Sequence, residues 1–179
     1  MDEQPELQPP ESEAGNDHVD DRMLAIAYHE AGHAVAALSL GRLIHKVTIK
    51  PGKSQFGAAR LGVCELQKGR SKASKHQLDD TVLILFAGMV AEAQFSGRYC
   101  PSGAEQDLLD IRRLLCDRAG SRSQFERMHR RLLDKTEHLL SDDTHREAIE
   151  KVALLLVEKV TISGRAVRHV FDQATHRRR

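Results

Sequence analysis

The chain has 179 residues with 4% aromatics and no Trp, so it is long enough for one domain whose core must come from Leu, Ile, Val and Ala. The net charge of +1 hides an asymmetry: residues 1–21 hold eight acids and no Lys or Arg, leaving 27 basic against 18 acidic side chains elsewhere, an excess of nine. Three scattered cysteines without a Cys-x-x-Cys exclude a disulfide framework. With no apolar signal region and no run of about 18 apolar residues, a cytoplasmic, non-membrane chain is expected.

Residues 1–20 are rich in Pro and Glu and are expected to form a disordered acidic tail ahead of one domain over 21–179. From about 21 to 40 the sequence predicts a helix. Asp20 or Asp21 can cap it, Gly41 can end it, and Met23, Leu24, Ala27, Ala31, Ala34, Val35 and Leu38 form an apolar stripe. It carries His29-Glu30-Ala31-Gly32-His33. On a helix, His29 and His33 lie one turn apart on one face, the spacing at which two imidazoles bind one zinc ion while Glu30 reaches the water that the metal activates. Chance alone gives this pattern in roughly one such sequence in twenty-five, so the motif needs support from elsewhere. Gly32 costs about 1 kcal/mol of helix propensity against Ala, which predicts close approach of another backbone.

Leu43 to Lys50 alternates β-branched and polar residues before Pro51-Gly52 and reads as a strand, and a second strand is expected at about 57–66. Gly52-Lys53-Ser54 is not the end of a phosphate loop, because Val47 stands where that loop needs Gly. Residues 67–75 read as a loop. Residues 75–95 predict a helix apolar on nearly all faces, hence buried, with Glu92 as the one acid in its apolar stretch. After a turn at 96–102, Ser102 is expected to cap a helix over about 103–118. Three amphipathic helices follow, marked by Phe125 to Leu139, by Ile149 to Val160, and by Ala166 to Val170 behind a Ser163 cap. The fold expected is mainly α, a helical bundle-like domain with a small two- or three-stranded sheet whose open edge can bind extended peptide.

A catalytic zinc takes three protein ligands and leaves one position for water. Glu92, Glu105, Asp107, Asp110 and Cys100 are the candidates for the third. Asp107 is favoured because it falls in the first turn of a helix, in line with Ile111, Leu114 and Leu115, and Glu92 comes second. Glu92 could instead hold the outer N–H of a ligating His. The other eight histidines have no metal spacing, and His45 is expected to pack within its strand.

Four blocks fall in register with one known family: Tyr28 to Ala34, His45 to Ile49 with Pro51 and Gly57, Ala87 to Glu92, and Ser102 to Leu108. Over about 22–175 the chain resembles the peptidase domain of FtsH-type ATP-dependent zinc proteases. The resemblance implies one zinc ion per chain held by His29, His33 and Asp107, with Glu30 as general base and Glu92 close to the site. It differs in carrying Ala87 and Met89 where the family commonly has Gly and Arg, and in lacking the Ala-Thr pair after the zinc Asp. It also shows no transmembrane helix and no AAA+ ATPase. The expected function is therefore a zinc-dependent metalloendopeptidase acting on unfolded or flexible polypeptides with no ATPase of its own, served by a separate ATPase partner or assembled as a homo-oligomer. The alternative is a non-proteolytic module that binds a partner peptide or an ATPase. Nucleic-acid binding has only the basic excess and Arg177 to Arg179 behind it, with no aromatic platform.

Overall fold

The computed structural model describes the backbone of residues 14–53, 59–60, 62–67 and 77–176. Among the described residues, six helices, a small three-stranded sheet and a two-stranded β2–β3 pair follow in the order α1 (Ala14–Ser39), β1 (Ile44–Thr48), β2 (Gly52–Lys53), β3 (Ala59–Arg60), β4 (Val63–Leu66), α2 (Gln77–Ser96), α3 (Glu105–Cys116), α4 (Arg122–Leu140), α5 (Asp143–Lys159), β5 (Thr161–Ser163) and α6 (Gly164–His176). The mainly helical architecture with a small sheet matches the sequence reading.

Helix α1 starts at Ala14, earlier than the expected boundary near 21, so residues 14–20 are helical rather than tail. The expectation for residues 1–13 lies outside the described residues. The far end is as expected. Gly41 has φ +73°, Arg42 N–H donates to Ala37 O at 2.8 Å and Gly41 N–H to Leu38 O at 3.0 Å. This pair of bonds satisfies the last carbonyls of the helix, and the left-handed residue between them favours glycine.

Helix α2 runs antiparallel to α1 and is buried on two sides. Ile84, Ala87, Val90 and Ala91 join a core with α1, α5, α6 and β1. Val82, Leu83, Phe86 and Met89 join a second core with Ile111 and Leu115 of α3 and Leu132 of α4. That double burial accounts for its lack of a polar face. The two helices touch at Gly32, where a Cβ would lie 2.4 Å from the Ala87 carbonyl oxygen. The close backbone approach predicted from Gly32 is present.

The sheet has the order β4-β1-β5, both pairs antiparallel. A register shift between Ile44 and Lys46 marks a bulge in the β1–β4 ladder. The expected strand at 57–66 is divided between β3 and β4, with residues 54–58 and 61 outside the described residues, as are 68–75 of the expected loop. The third strand, β5, was not foreseen. Gly164 lets it turn into α6, since a Cβ there would meet the Ile44 carbonyl oxygen.

Four local expectations need correction. Ser102 does not cap α3. Gly103 and Ala104 N–H bond back to Cys100 and Pro101 carbonyls, a turn that delays the helix to Glu105. Val160 does not continue α5 but ends it, with φ +60° and 44% exposure. Met23, assigned to the apolar stripe of α1, is 36% exposed. His45 is exposed on β1 rather than packed. The Ser163 cap is found, its hydroxyl accepting from Ala166 N–H at 3.3 Å.

Candidate metal centre

Three elements place the chemistry. Helix α1 supplies His29, Glu30 and His33, all buried. Helix α2 crosses behind them, and the first turn of α3 brings Asp107 over them. Asp107 Oδ2 lies 3.0 Å from His29 Nε2 and 3.2 Å from His33 Nε2. The two imidazole rings meet edge to face, 4.7 Å apart. One donor atom from each of the three residues lies within 4.8 Å of the others, and among the described residues this is the group suited to hold a metal ion.

The outer ring nitrogens fix the tautomers. His33 Nδ1 lies 2.7 Å from the Ile84 carbonyl oxygen, which can only accept, so Nδ1 carries the proton. His29 Nδ1 lies 3.1 Å from Glu92 Oε2 and donates to it. Each Nε2 therefore faces Asp107 in one of two ways. It is the second N–H of an imidazolium, or it is a lone pair to be shared with a cation. Without a metal the charged form wins. Burial opposes it at His29, but hydrogen bonds to Asp107 and Glu92 outweigh burial and push the pKa up to about 10. His33 is raised as well, with burial again overcome by the Asp107 charge and hydrogen bond. Burial of Asp107 is overcome by the His33 charge and by hydrogen bonds from both rings, which hold its carboxyl well below the usual carboxylate range. These buried opposite charges mark the position that a cation would take.

The space for that cation is also built. Gly88 of α2 stands opposite the ligands, where a Cβ would lie 2.5 Å from His33 Nε2 and 2.6 Å from His29 Nε2. Two imidazoles and a carboxylate are a zinc donor set, and three donors leave a position for water. The residues thus fit a zinc ion. Glu30 points into the same groove, its carboxylate against Gly62, where a Cβ would lie 2.6 Å from Oε1.

The other candidates from sequence are placed differently. Glu92 reaches the outer face of His29 rather than the metal position. Glu105 lines the groove and is exposed. Asp110 accepts from Gln106 and Arg113. Cys100 lines the groove, its Sγ 3.3 Å from the Ser102 hydroxyl. Sequence reasoning missed Gly62, Gly88 and the Ile84 carbonyl. A glycine inside an apolar helix was the available signal for Gly88. Cys64, beside Glu30 on β4, was also missed as a groove residue, and burial followed by the Glu30 charge pushes its thiol pKa up. That makes it a poor nucleophile at neutral pH.

Residues 19–118 match the sequence pattern of peptidase family M41. The chain belongs to that family. Among its relatives, the ATP-dependent zinc metalloprotease FtsH of Pirellula staleyi is 32% identical over 141 residues, covering 75% of this chain and 19% of the relative. ATP-dependent zinc metalloprotease FtsH 1 of Thermomicrobium roseum is 27% identical, covering 84% and 28%. The mitochondrial inner membrane m-AAA protease component AFG3L2 of Mus musculus is 29% identical, covering 75% and 20%. The M41 chain described here thus spans under a third of the length of these relatives. Its matched segment includes all of His29, Glu30, His33, Glu92 and Asp107. Among the described residues, no helix is long and apolar enough to cross a membrane.

Proposed function

We propose that this M41 chain is a zinc metalloendopeptidase that cuts unfolded or flexible polypeptides. The observation that carries the reading is the meeting of His29 Nε2, His33 Nε2 and Asp107 Oδ2 opposite Gly88, with the Glu30 carboxylate in the same groove. The names of the relatives, zinc metalloproteases, support the same chemistry.

His29, His33 and Asp107 are the residues that would hold the metal. A zinc ion held there would supply Lewis-acid chemistry, making a water acidic enough to attack near neutral pH and polarising the scissile carbonyl. Glu30 accepts the proton of the attacking water and passes it to the leaving amine. Glu92 acts on His29, fixing its tautomer and ring orientation through Nδ1. Among the described residues β4 pairs with β1 on one side, and its other edge is where an extended substrate backbone would add. Nothing in this sequence of proton transfers consumes ATP, so short flexible peptides are expected to be cut without it. A folded substrate would need a partner to unfold it.

The test pairs zinc content with hydrolysis of an unfolded protein such as casein. About one zinc per chain in both the native protein and Glu30→Gln, with cleavage only by the native protein, is the expected result. Zinc in both with cleavage in neither favours a partner-dependent protease or a peptide-binding module. Zinc in neither overturns the reading.

A further inference from the structure

The groove holding these residues is large, about 770 Å³, and it continues along α1 beyond the metal centre in both directions. Around the acids of the centre its walls also carry apolar side chains, Ile26, Ile84 and Leu109 among them. At its two ends the lining changes character. Arg22 lies on α1 two turns before His29, and Arg42 lies just past the end of the same helix. Arg42 stands at the far end of β4, because Gln67 N–H, which follows β4, bonds to the carbonyl of the adjacent Leu43 at 2.8 Å. Arg22 is exposed and Arg42 half-buried. Among the described residues, neither guanidinium pairs with a carboxylate.

The groove's own carboxylates do not supply that partner. Glu30, Glu92 and Asp107 sit at the metal centre, and Glu105 lies two residues from Asp107 in the first turn of α3. The lining is therefore acidic at the middle and basic at both ends. From Arg22 to His29 is seven residues of helix, about 10 Å along its axis. An extended peptide covers that length in about three residues. On the other side the six residues from His33 to the end of α1 at Ser39 span about 9 Å, and Arg42 follows three residues later, past the turn at Gly41.

We infer that Arg22 and Arg42 select substrates carrying a carboxylate about three residues to either side of an apolar cleavage segment. The inference rests on the groove being the substrate site, and it adds the chemical class of the substrate. Exposed ion pairs set the scale, about two- to fivefold in affinity for each matched carboxylate at low salt. Screening removes the effect near 1 M salt, where charges are felt over only about 3 Å.

The experiment measures binding so that it does not depend on turnover. Zinc-loaded Glu30→Gln is titrated into fluorescein-labelled decapeptides with a Leu-Ala centre, bearing either Glu or Gln three residues to each side. Anisotropy at 50 mM and 1 M salt gives Kd. The Glu peptide is expected to bind about tenfold more tightly at low salt and equally at high salt. Adding Arg22→Glu and Arg42→Glu together should reverse the preference. The milder Arg22→Gln and Arg42→Gln pair should abolish it, and it serves if the charge reversal unfolds the protein. Arg168→Glu, an exposed change on α6, controls for net charge and should leave the preference intact. Equal binding of the two peptides, a preference that survives in the double variants, or no binding of either peptide overturns the inference. Failure of the functional reading looks different: the native protein would bind the Glu peptide selectively and cleave nothing. Cleavage of both peptides at equal rates would spare the peptidase and overturn the selectivity.

Discussion

The Glu92 carboxylate lies 3.1 Å from His29 Nδ1, on the side of the imidazole opposite Asp107. It therefore orients His29 from the side away from the Asp107 contact. Glu92→Ala is expected to lower zinc affinity by about 10- to 100-fold, the usual cost of losing an outer partner of a metal-bound His. Glu92→Gln, which can still accept from Nδ1, should lose less. Competition against a fluorescent zinc chelator measures both. Equal affinity in all three proteins would show that Glu92 does not tune His29.

Asp107→Asn should reduce zinc content markedly, since a neutral amide replaces the charged donor, and elemental analysis after dialysis reads it directly. Unchanged metal content would move the third-ligand role elsewhere.

Gly88→Ala sets two effects against each other. Alanine gains about 1 kcal/mol of helix propensity, which favours α2. Its Cβ would also fall 2.5 and 2.6 Å from the two Nε2 atoms, in the space the metal needs. Helical content should persist by circular dichroism while zinc is lost. A protein that is folded and still binds one zinc would contradict the placement of the ion opposite Gly88.

Gly62→Ala acts on the other functional group. Its Cβ would meet the movable end of the Glu30 side chain, so the fold can yield by displacing that carboxylate. Zinc should be retained and kcat should fall by at least tenfold, with a smaller change in KM. An unchanged kcat would mean that Glu30 reaches its working position from another rotamer.

Acidity should matter in opposite senses for metal binding and for the metal-free fold. Zinc needs the unprotonated Nε2 atoms, so affinity rises with pH. In the stripped protein, burial of His29 is outweighed by Asp107 and Glu92, and its pKa is raised from 6.5 to about 10. A raised pKa stabilises the fold fully below about 6.5, and that stabilisation is lost as pH climbs toward 10. Urea midpoints of the stripped protein should fall over that range, and those of the zinc form should not.

The metal motif was legible in the residues because both imidazoles and Glu30 are local to one helix, where spacing alone sets geometry. The third member of the cluster was less sharply marked. Asp107 was favoured among five candidates by its place in the first turn of a helix, but the approach of α3 to α1 depends on how both pack on α2. β5 escaped notice because three residues carry too little alternation to read. Its partner β1 lies over a hundred residues earlier. Val160 looked like the last apolar residue of α5, and its positive φ has no signature in a β-branched side chain. Val160→Gly should relieve that backbone and raise Tm by about 2–4 °C, a gain of about 1 kcal/mol.

The central position of β1 between β4 and β5 carries a consequence for biosynthesis. His29, His33 and Asp107 are all made by residue 107, yet β1 and β4 alone form a two-stranded ribbon, which is marginal in water. The strand that flanks β1 on its other side, and the helix that seats it, are translated well after the cluster, at 161–176. A nascent chain therefore holds the three clustered side chains long before β1 is flanked on both sides. Any peptide-binding edge on β4 is therefore expected to become firm only once residues 161–176 have been made.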